Sequence, residues 1–234
     1  MIRAGGTNEM KATAVFALVF AMASPALAGP ANSTIGGKRL RDDNVHNVAV
    51  GYPSLFYEWW NKGPRQLDWA LKPALVYGDW PAAYSDSRFI RIGLGLSAPL
   101  RWHLATKKRA KTTNDISFRF TPGILLAGNR ADTFTFGIKA EAAAPVSLDV
   151  HERVSVITGG AIPFAVYISN RNLGTRGFIP LLFRMGVEIK ASDHVSPFFL
   201  FELGPGIGVG GGVADVSFAW RIWVGTSFWG VTGK

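Results

Sequence analysis

The sequence predicts an all-β fold: an antiparallel, up-and-down transmembrane β-barrel of about eight strands, or ten if one irregular segment contributes a hairpin. Three observations carry this expectation. Apolar residues recur with period two in segment after segment beyond residue 45. These segments run to roughly 11–17 residues, against about 5–6 for strands of soluble proteins and about 9–11 needed to cross hydrocarbon. Bulky side chains share one face of each segment, while Gly, Ala, Ser and single charges take the other. A barrel with lipid outside and a narrow lumen inside needs that distribution.

Composition narrows the alternatives. The chain of 234 residues has no cysteine, which excludes a disulfide framework, a thiolate metal site and a Cys nucleophile. Its 27 glycines and 12% aromatics suit a β protein with many turns. Beyond the N-terminus no stretch reaches the roughly 18 apolar residues of a membrane helix. The formal net charge is +9, with the positive residues scattered singly apart from Lys107, Lys108, Arg109 and Lys111. No module that reads bases accompanies this charge, so nucleic acid is not an expected partner.

The elements follow in order. Lys11 precedes the apolar run Ala12 to Ala23, Ser24 and Pro25 break it, and Ala26-Leu27-Ala28 supplies the small residues a signal peptidase reads. Residues 1–28 are therefore expected to be a signal peptide cleaved after Ala28, with an uncleaved anchor as the competing reading. Met10 offers an alternative start. Removing residues 1–28 leaves a net charge of about +8. Residues 29–44 are polar and glycine-containing and are expected to be a flexible mature N-terminus. Residues 45–234 form the expected barrel.

Within the barrel, Val45 to Trp60 is irregular: Val48, Val50 and Tyr52 share one phase, and after Pro53 the phase switches to Leu55, Tyr57 and Trp59. A bulge, a kink or a hairpin would each account for the switch. Eight regular segments follow. Their outward faces are expected to carry Leu67, Trp69 and Leu71; then Ile90, Ile92 and Leu94; Ile116, Phe118 and Phe120; Phe134, Phe136 and Ile138; Val154, Val156 and Ile162; Ile179, Leu181 and Phe183; Phe199, Phe201 and Leu203; and Val216, Phe218 and Trp220. Asp149 to Arg153 and Ser192 to His194 are short, as periplasmic turns are, and Ala105 to Asp115 would be a long basic one. Pro73, Pro99, Pro122, Pro145, Pro163, Pro180 and Pro205 fall inside proposed strands, where they are expected to mark bulges or rims. The eight tryptophans lie mostly near segment ends, as an interfacial girdle would place them.

The Ala-x-Ala signal, the repeated amphipathic strands and the aromatic-rich last strand together resemble the small bacterial outer-membrane β-barrel proteins, over about residues 45–231. In that family the last strand ends in an aromatic residue read by the assembly machinery. Phe228 and Trp229 lie near that place, but Gly230 to Lys234 follow. The resemblance implies an outer-membrane location, outer-membrane lipid and lipopolysaccharide as surroundings, and the barrel-assembly machinery as a partner.

The polar faces carry the candidate chemistry. Arg91, Arg101, Arg119, Lys139, Glu141, Arg184, Glu188, Lys190, Glu202 and Arg221 are expected to form a lumenal charge network, with Asp68 and Lys72 on the same faces. Arg184 is expected to pair with Glu188 four residues on, since charges in a lumen with little water must pair. The expected function is a structural or binding barrel with a charge-paired lumen and no catalysis. A narrow channel favouring anions is the alternative. The second alternative is a lipid-modifying enzyme, a deacylase, because His194 and Ser196 lie two apart on a strand. Asp193 is adjacent but points the other way. No cofactor is expected, and His46, His103 and His151 show no metal-ligand spacing. The run Gly204 to Gly212 lacks the Lys-Ser/Thr and the helix of a phosphate loop.

Overall fold

The computed structural model describes residues 30, 32–78, 90–108, 112–128, 134–169, 175–210 and 213–230. The signal segment, Trp80, Arg109 and Lys111 lie outside them. Twelve strands are present: β1 (Val45–Tyr52), β2 (Ser54–Lys62), β3 (Leu67–Val76), β4 (Ile92–Ser97), β5 (Leu100–Lys108), β6 (Thr113–Gly128), β7 (Phe134–His151), β8 (Val154–Ser169), β9 (Thr175–Pro180), β10 (Leu182–Ile189), β11 (Val195–Gly210) and β12 (Val213–Phe228). All pairings are antiparallel, each stave pairs with the next, and β12 returns to pair with β1, so the sheet closes.

The barrel has ten staves. β4 and β5 both lie between β3 and β6 and form one stave interrupted at Ala98-Pro99. β9 and β10 both lie between β8 and β11 and form another, interrupted at Leu181 after Pro180. A proline donates nothing to a ladder, which is why two staves break beside one. The gaps are bridged by Ala98 N–H to Pro122 O at 2.9 Å and Leu181 N–H to Pro205 O at 2.8 Å. Pro73, Pro122, Pro145, Pro163 and Pro205 stay inside continuous strands, away from the rims. Pro145 faces Gly159, whose φ of 138° only glycine adopts readily.

The irregular Val45–Trp60 segment is itself a hairpin. Val45 faces Trp60 and Ala49 faces Phe56, with a tight turn at Tyr52-Pro53-Ser54 containing a cis Tyr52–Pro53 bond. The phase switch at Pro53 is thus a reversal of direction, and it supplies staves nine and ten. This hairpin is short: it stops level with Ile222, and Val213–Arg221 of β12 pair only with β11 among the described residues. The connection after β5 is shorter than expected, because β5 runs to Lys108 and β6 starts at Thr113, with a bulge between His103 and Ala105.

The molecule is apolar outside and polar inside. Leu94 is 68% exposed, Val216 71% and Phe183 51%, all outward. Ile90 departs from the expected facing: it is buried in the lumen. Bulky groups also fill the interior, among them Phe56, Trp60, Leu125, Tyr167, Leu200 and Trp223. Trp60, Trp223 and Trp229 therefore do not belong to an interfacial girdle. Trp59 and Trp69 do face outward and meet edge to face, with ring centroids 6.1 Å apart.

Candidate functional site

The interior is occupied by the chain's own N-terminal segment. Pro30 and residues 32–40, read from sequence as part of a flexible terminus, enter the lumen from the end that holds the start of β1 and the end of β12. They turn at Thr34 to Gly37 and come back, and residues 32–38 and Leu40 are buried. Their polarity suits a polar lumen as well as it suits water. Arg101 Nη1 donates to Ser33 O at 2.6 Å, Gly37 N–H donates to Ser147 Oγ at 2.8 Å, and Leu40 N–H donates to Asp68 Oδ2 at 3.1 Å. Thr34 Oγ1 and Ser227 Oγ lie 2.8 Å apart, and Lys38 Nζ reaches Asp149 Oδ1 at 2.6 Å. A Cβ at Gly37 would lie 2.3 Å from Asp115 O, so the close passage of plug and wall requires glycine there. Asn32 closes the neck: its Oδ1 accepts from Arg41 N–H at 2.8 Å and Asp42 N–H at 3.1 Å. Below the plug, Leu40 packs with Val45, Trp60, Ala70 and Trp229.

Above the plug two ion-pair clusters cross the lumen. In the first, Glu58 of β2 accepts from Arg119 Nη2 at 2.8 Å, Trp60 Nε1 at 2.8 Å and Asn47 Nδ2 at 2.9 Å, and lies 3.0 Å from Lys72 Nζ. The Trp60 ring lies beneath both the Arg101 and Arg119 guanidinium groups, at 4.9 and 5.2 Å. Arg101 pairs with Asp68 at 2.9 Å, directly across the β3–β5 register. Glu58 was not among the sequence candidates. It sits in the irregular segment, but its place between the outward Tyr57 and Trp59 was the available signal.

In the second cluster, Arg184, Glu202, Arg221 and Glu141 form a closed ring of alternating charge. Arg184 Nε donates to Glu202 Oε1 at 2.5 Å and Arg221 donates to Glu202 Oε2. Arg221 Nη1 reaches Glu141 Oε2 at 2.8 Å, and Arg184 Nη2 reaches Glu141 Oε1 at 3.2 Å. Arg184 faces Glu202 and Glu202 faces Arg221 in the sheet register, so three neighbouring staves supply three of the ring's four members. Glu141, on β7, completes it across the lumen.

The expected Arg184–Glu188 pair does not form. Residues four apart on a strand stand about 13 Å apart, beyond the reach of a single ion pair. Glu188 is buried without an ion pair; Ser33 of the plug lies against its carboxyl, and the charges acting on it are Lys38, Arg101 and Asp149. Two further candidates lie outside the network. Arg91 is exposed just before β4. Lys190 pairs with the exposed Asp193 at 2.6 Å in the β10–β11 turn, where its ammonium holds the Asp193 carboxyl below the usual range. Lys139 points inward, lining the cavity described below, and makes no ion pair or hydrogen bond among the described residues.

His194 and Ser196 are not hydrogen-bonded to each other. His194 is exposed in the turn, and Ser196 is buried with no partner for Oγ. Among the described residues no group of three or more His, Asp or Glu side chains is placed to hold a metal ion. Gly204 and Gly206 are closely packed wall residues: an added Cβ would lie 2.0 Å from Leu181 O and 2.4 Å from the Phe178 ring.

Between the charge clusters and the rim furthest from the start of β1 and the end of β12 lies a cavity of about 120 Å³. Its floor is the plug tip, Ile35, with Glu58, Lys72, Arg119, Glu141, Arg184 and Arg221. Its upper wall is apolar, formed by Phe56, Val76, Leu125, Tyr167, Leu200 and Trp223. Comparison with models of protein families gave no match, and comparison with curated protein sequences gave none either.

Proposed function

We propose that this chain is a bacterial outer-membrane β-barrel with a binding or structural role and a closed, non-conducting lumen. One observation carries the reading: large apolar side chains cover the outside of the closed sheet while buried charges pair inside it. An exterior of that kind in water would be an aggregating surface; in a bilayer it is the surface the solvent requires. The signal-like residues 1–28 deliver the chain to the periplasm, the assembly machinery inserts it, and lipid and lipopolysaccharide surround it. The end that holds the barrel's first and last residues then faces the periplasm, as the short turns there support.

The plug favours binding over transport. A channel needs a continuous polar path, and residues 32–40 fill the periplasmic half while the Arg184–Glu202–Arg221–Glu141 ring crosses the lumen beyond them. No catalytic step is proposed. The test has two parts. Membrane fractionation should place the protein with the outer membrane, with migration on an unboiled gel that shifts on heating, and planar-bilayer recording should show no steady conductance. Release by osmotic shock would overturn the location, and a steady open level would replace binding with a channel.

A further inference from the structure

We infer that the cavity above the plug binds a single-chain anionic amphiphile, its carboxylate or phosphate head at Lys139 and its hydrocarbon tail against the apolar upper wall. This deepens the binding role proposed above and rests on it. The first ground is charge. The cations lining the cavity are Lys72, Arg119, Lys139, Arg184 and Arg221. The acids that hold them are Glu58, Glu141 and Glu202, and each is already engaged by two cations. Counted over the described residues, the belt therefore carries more positive than negative charge in a site sheltered from water. Lys139 makes none of these pairs. Its Nζ rests where Gly95 leaves room for it, 3.0 Å from the point a Cβ would occupy. Excess buried cation is costly unless an anion joins it.

The second ground is unused donors. Arg184 Nη1 and Trp223 Nε1 are buried with no acceptor, and both residues line the same cavity. Buried donors normally have partners, so a cluster without them calls for an acceptor from outside the chain. The third ground is shape. The cavity of about 120 Å³ takes a charged head group and the first carbons of a chain, the rest of which extends past the rim. Its apolar wall would be wasted on a small inorganic anion, and its charged floor would reject a neutral hydrocarbon. The low β1–β2 hairpin gives the ligand a route: Pro53 and Ser54 at its tip border the cavity, and the β12 edge above it pairs only with β11 among the described residues.

The full chain, folded in a non-ionic detergent, is to be titrated with palmitate, hexadecyl phosphate, hexadecanol and acetate, and bound species counted by native mass spectrometry. Palmitate or hexadecyl phosphate should bind one to one, and the better of the two identifies the head group. Hexadecanol and acetate should each bind about tenfold or more weakly, because each lacks one half of the recognition. Lys139→Met should weaken anion binding about tenfold or more, Lys139→Arg should keep it, and Val76→Phe, in the apolar upper wall, should weaken palmitate but not acetate. Every variant is first checked for the heat-dependent gel shift. Hexadecanol binding as well as palmitate, Lys139→Met binding unchanged, or no binding by an intact barrel would each overturn the inference. None of these results bears on membrane location or conductance, which are measured separately.

Discussion

Replacing Glu202 by Gln tests whether register, rather than spacing along one strand, sets the lumenal pairs. Glu202 is 0% exposed and accepts from Arg184 through one oxygen and from Arg221 through the other. Gln keeps the shape and one acceptor, but turns an amide NH₂ toward the second guanidinium. Breaking a buried pair typically costs about 3–5 kcal/mol, because the surviving charge is stranded. Both arginines still reach Glu141, at 3.2 and 2.8 Å, so the lower end, about 3 kcal/mol, is expected. Urea unfolding in lipid vesicles, followed by gel migration and tryptophan fluorescence, measures the loss. Adding Arg221→Met removes the stranded charge and should recover about 1–2 kcal/mol in a double-mutant cycle. A Glu202→Gln barrel within about 0.5 kcal/mol of the parent, with no coupling to Arg221, would refute the ring.

Further outcomes follow from the same geometry. Glu188→Gln should be neutral or stabilising by the same unfolding assay and uncoupled from Arg184→Met, because Glu188 is an unpaired buried charge. Leu94→Arg, at an outward site, should impair insertion by about 2–4 kcal/mol if it lies near the midplane, read as the folded fraction in vesicles; Gly93→Arg should act through lumenal crowding instead, since a Cβ there already meets Ala127 at 2.6 Å. Deleting residues 30–40 should lower the yield of the heat-shifting barrel, and the fraction that closes should show single-channel conductance above the closed baseline. Gly204→Ala should destabilise the sheet in the urea assay, because its Cβ would lie 2.0 Å from the Leu181 carbonyl oxygen.

Different physical signals explain what the sequence revealed and what it concealed. Eight staves were legible because bulk on every second residue marks the outward face, and that period survives even where Pro122 or Pro205 interrupts the donors. The two remaining staves were hidden in Val45–Trp60, because a tight reversal at Pro53 and a bulge both appear in sequence as a change of phase. Facing was legible for Arg184, Glu202 and Arg221, since alternation fixes the side of the sheet. Partners were not, since they depend on which residue lies across the ladder, a property of two strands that neither states alone. The plug was illegible because a polar, glycine-containing segment satisfies its backbone equally well in water or in a polar lumen. The inward Trp60 and Trp223 were misread for a related reason: an indole suits an interface, a core, or a cushion beneath arginine.

The position of the plug in the chain bears on how the barrel is made. The seam between β1 and β12 joins the first stave to the last, so the circle cannot close before the whole chain has emerged. The plug immediately precedes β1, yet Thr34 meets Ser227 near the end of β12. It also meets staves in between, at Asp68, Arg101, Ser117 and Ser147. A barrel closed around nothing would leave those groups facing one another without partners, and a plug arriving later would have to enter through an end already narrowed by Trp60 and Trp229. The plug is thus suited to serve as a mandrel, an internal form on which the sheet is wound. The segment just ahead of β1 would then wait inside the growing sheet until the final strand arrives to shut it in.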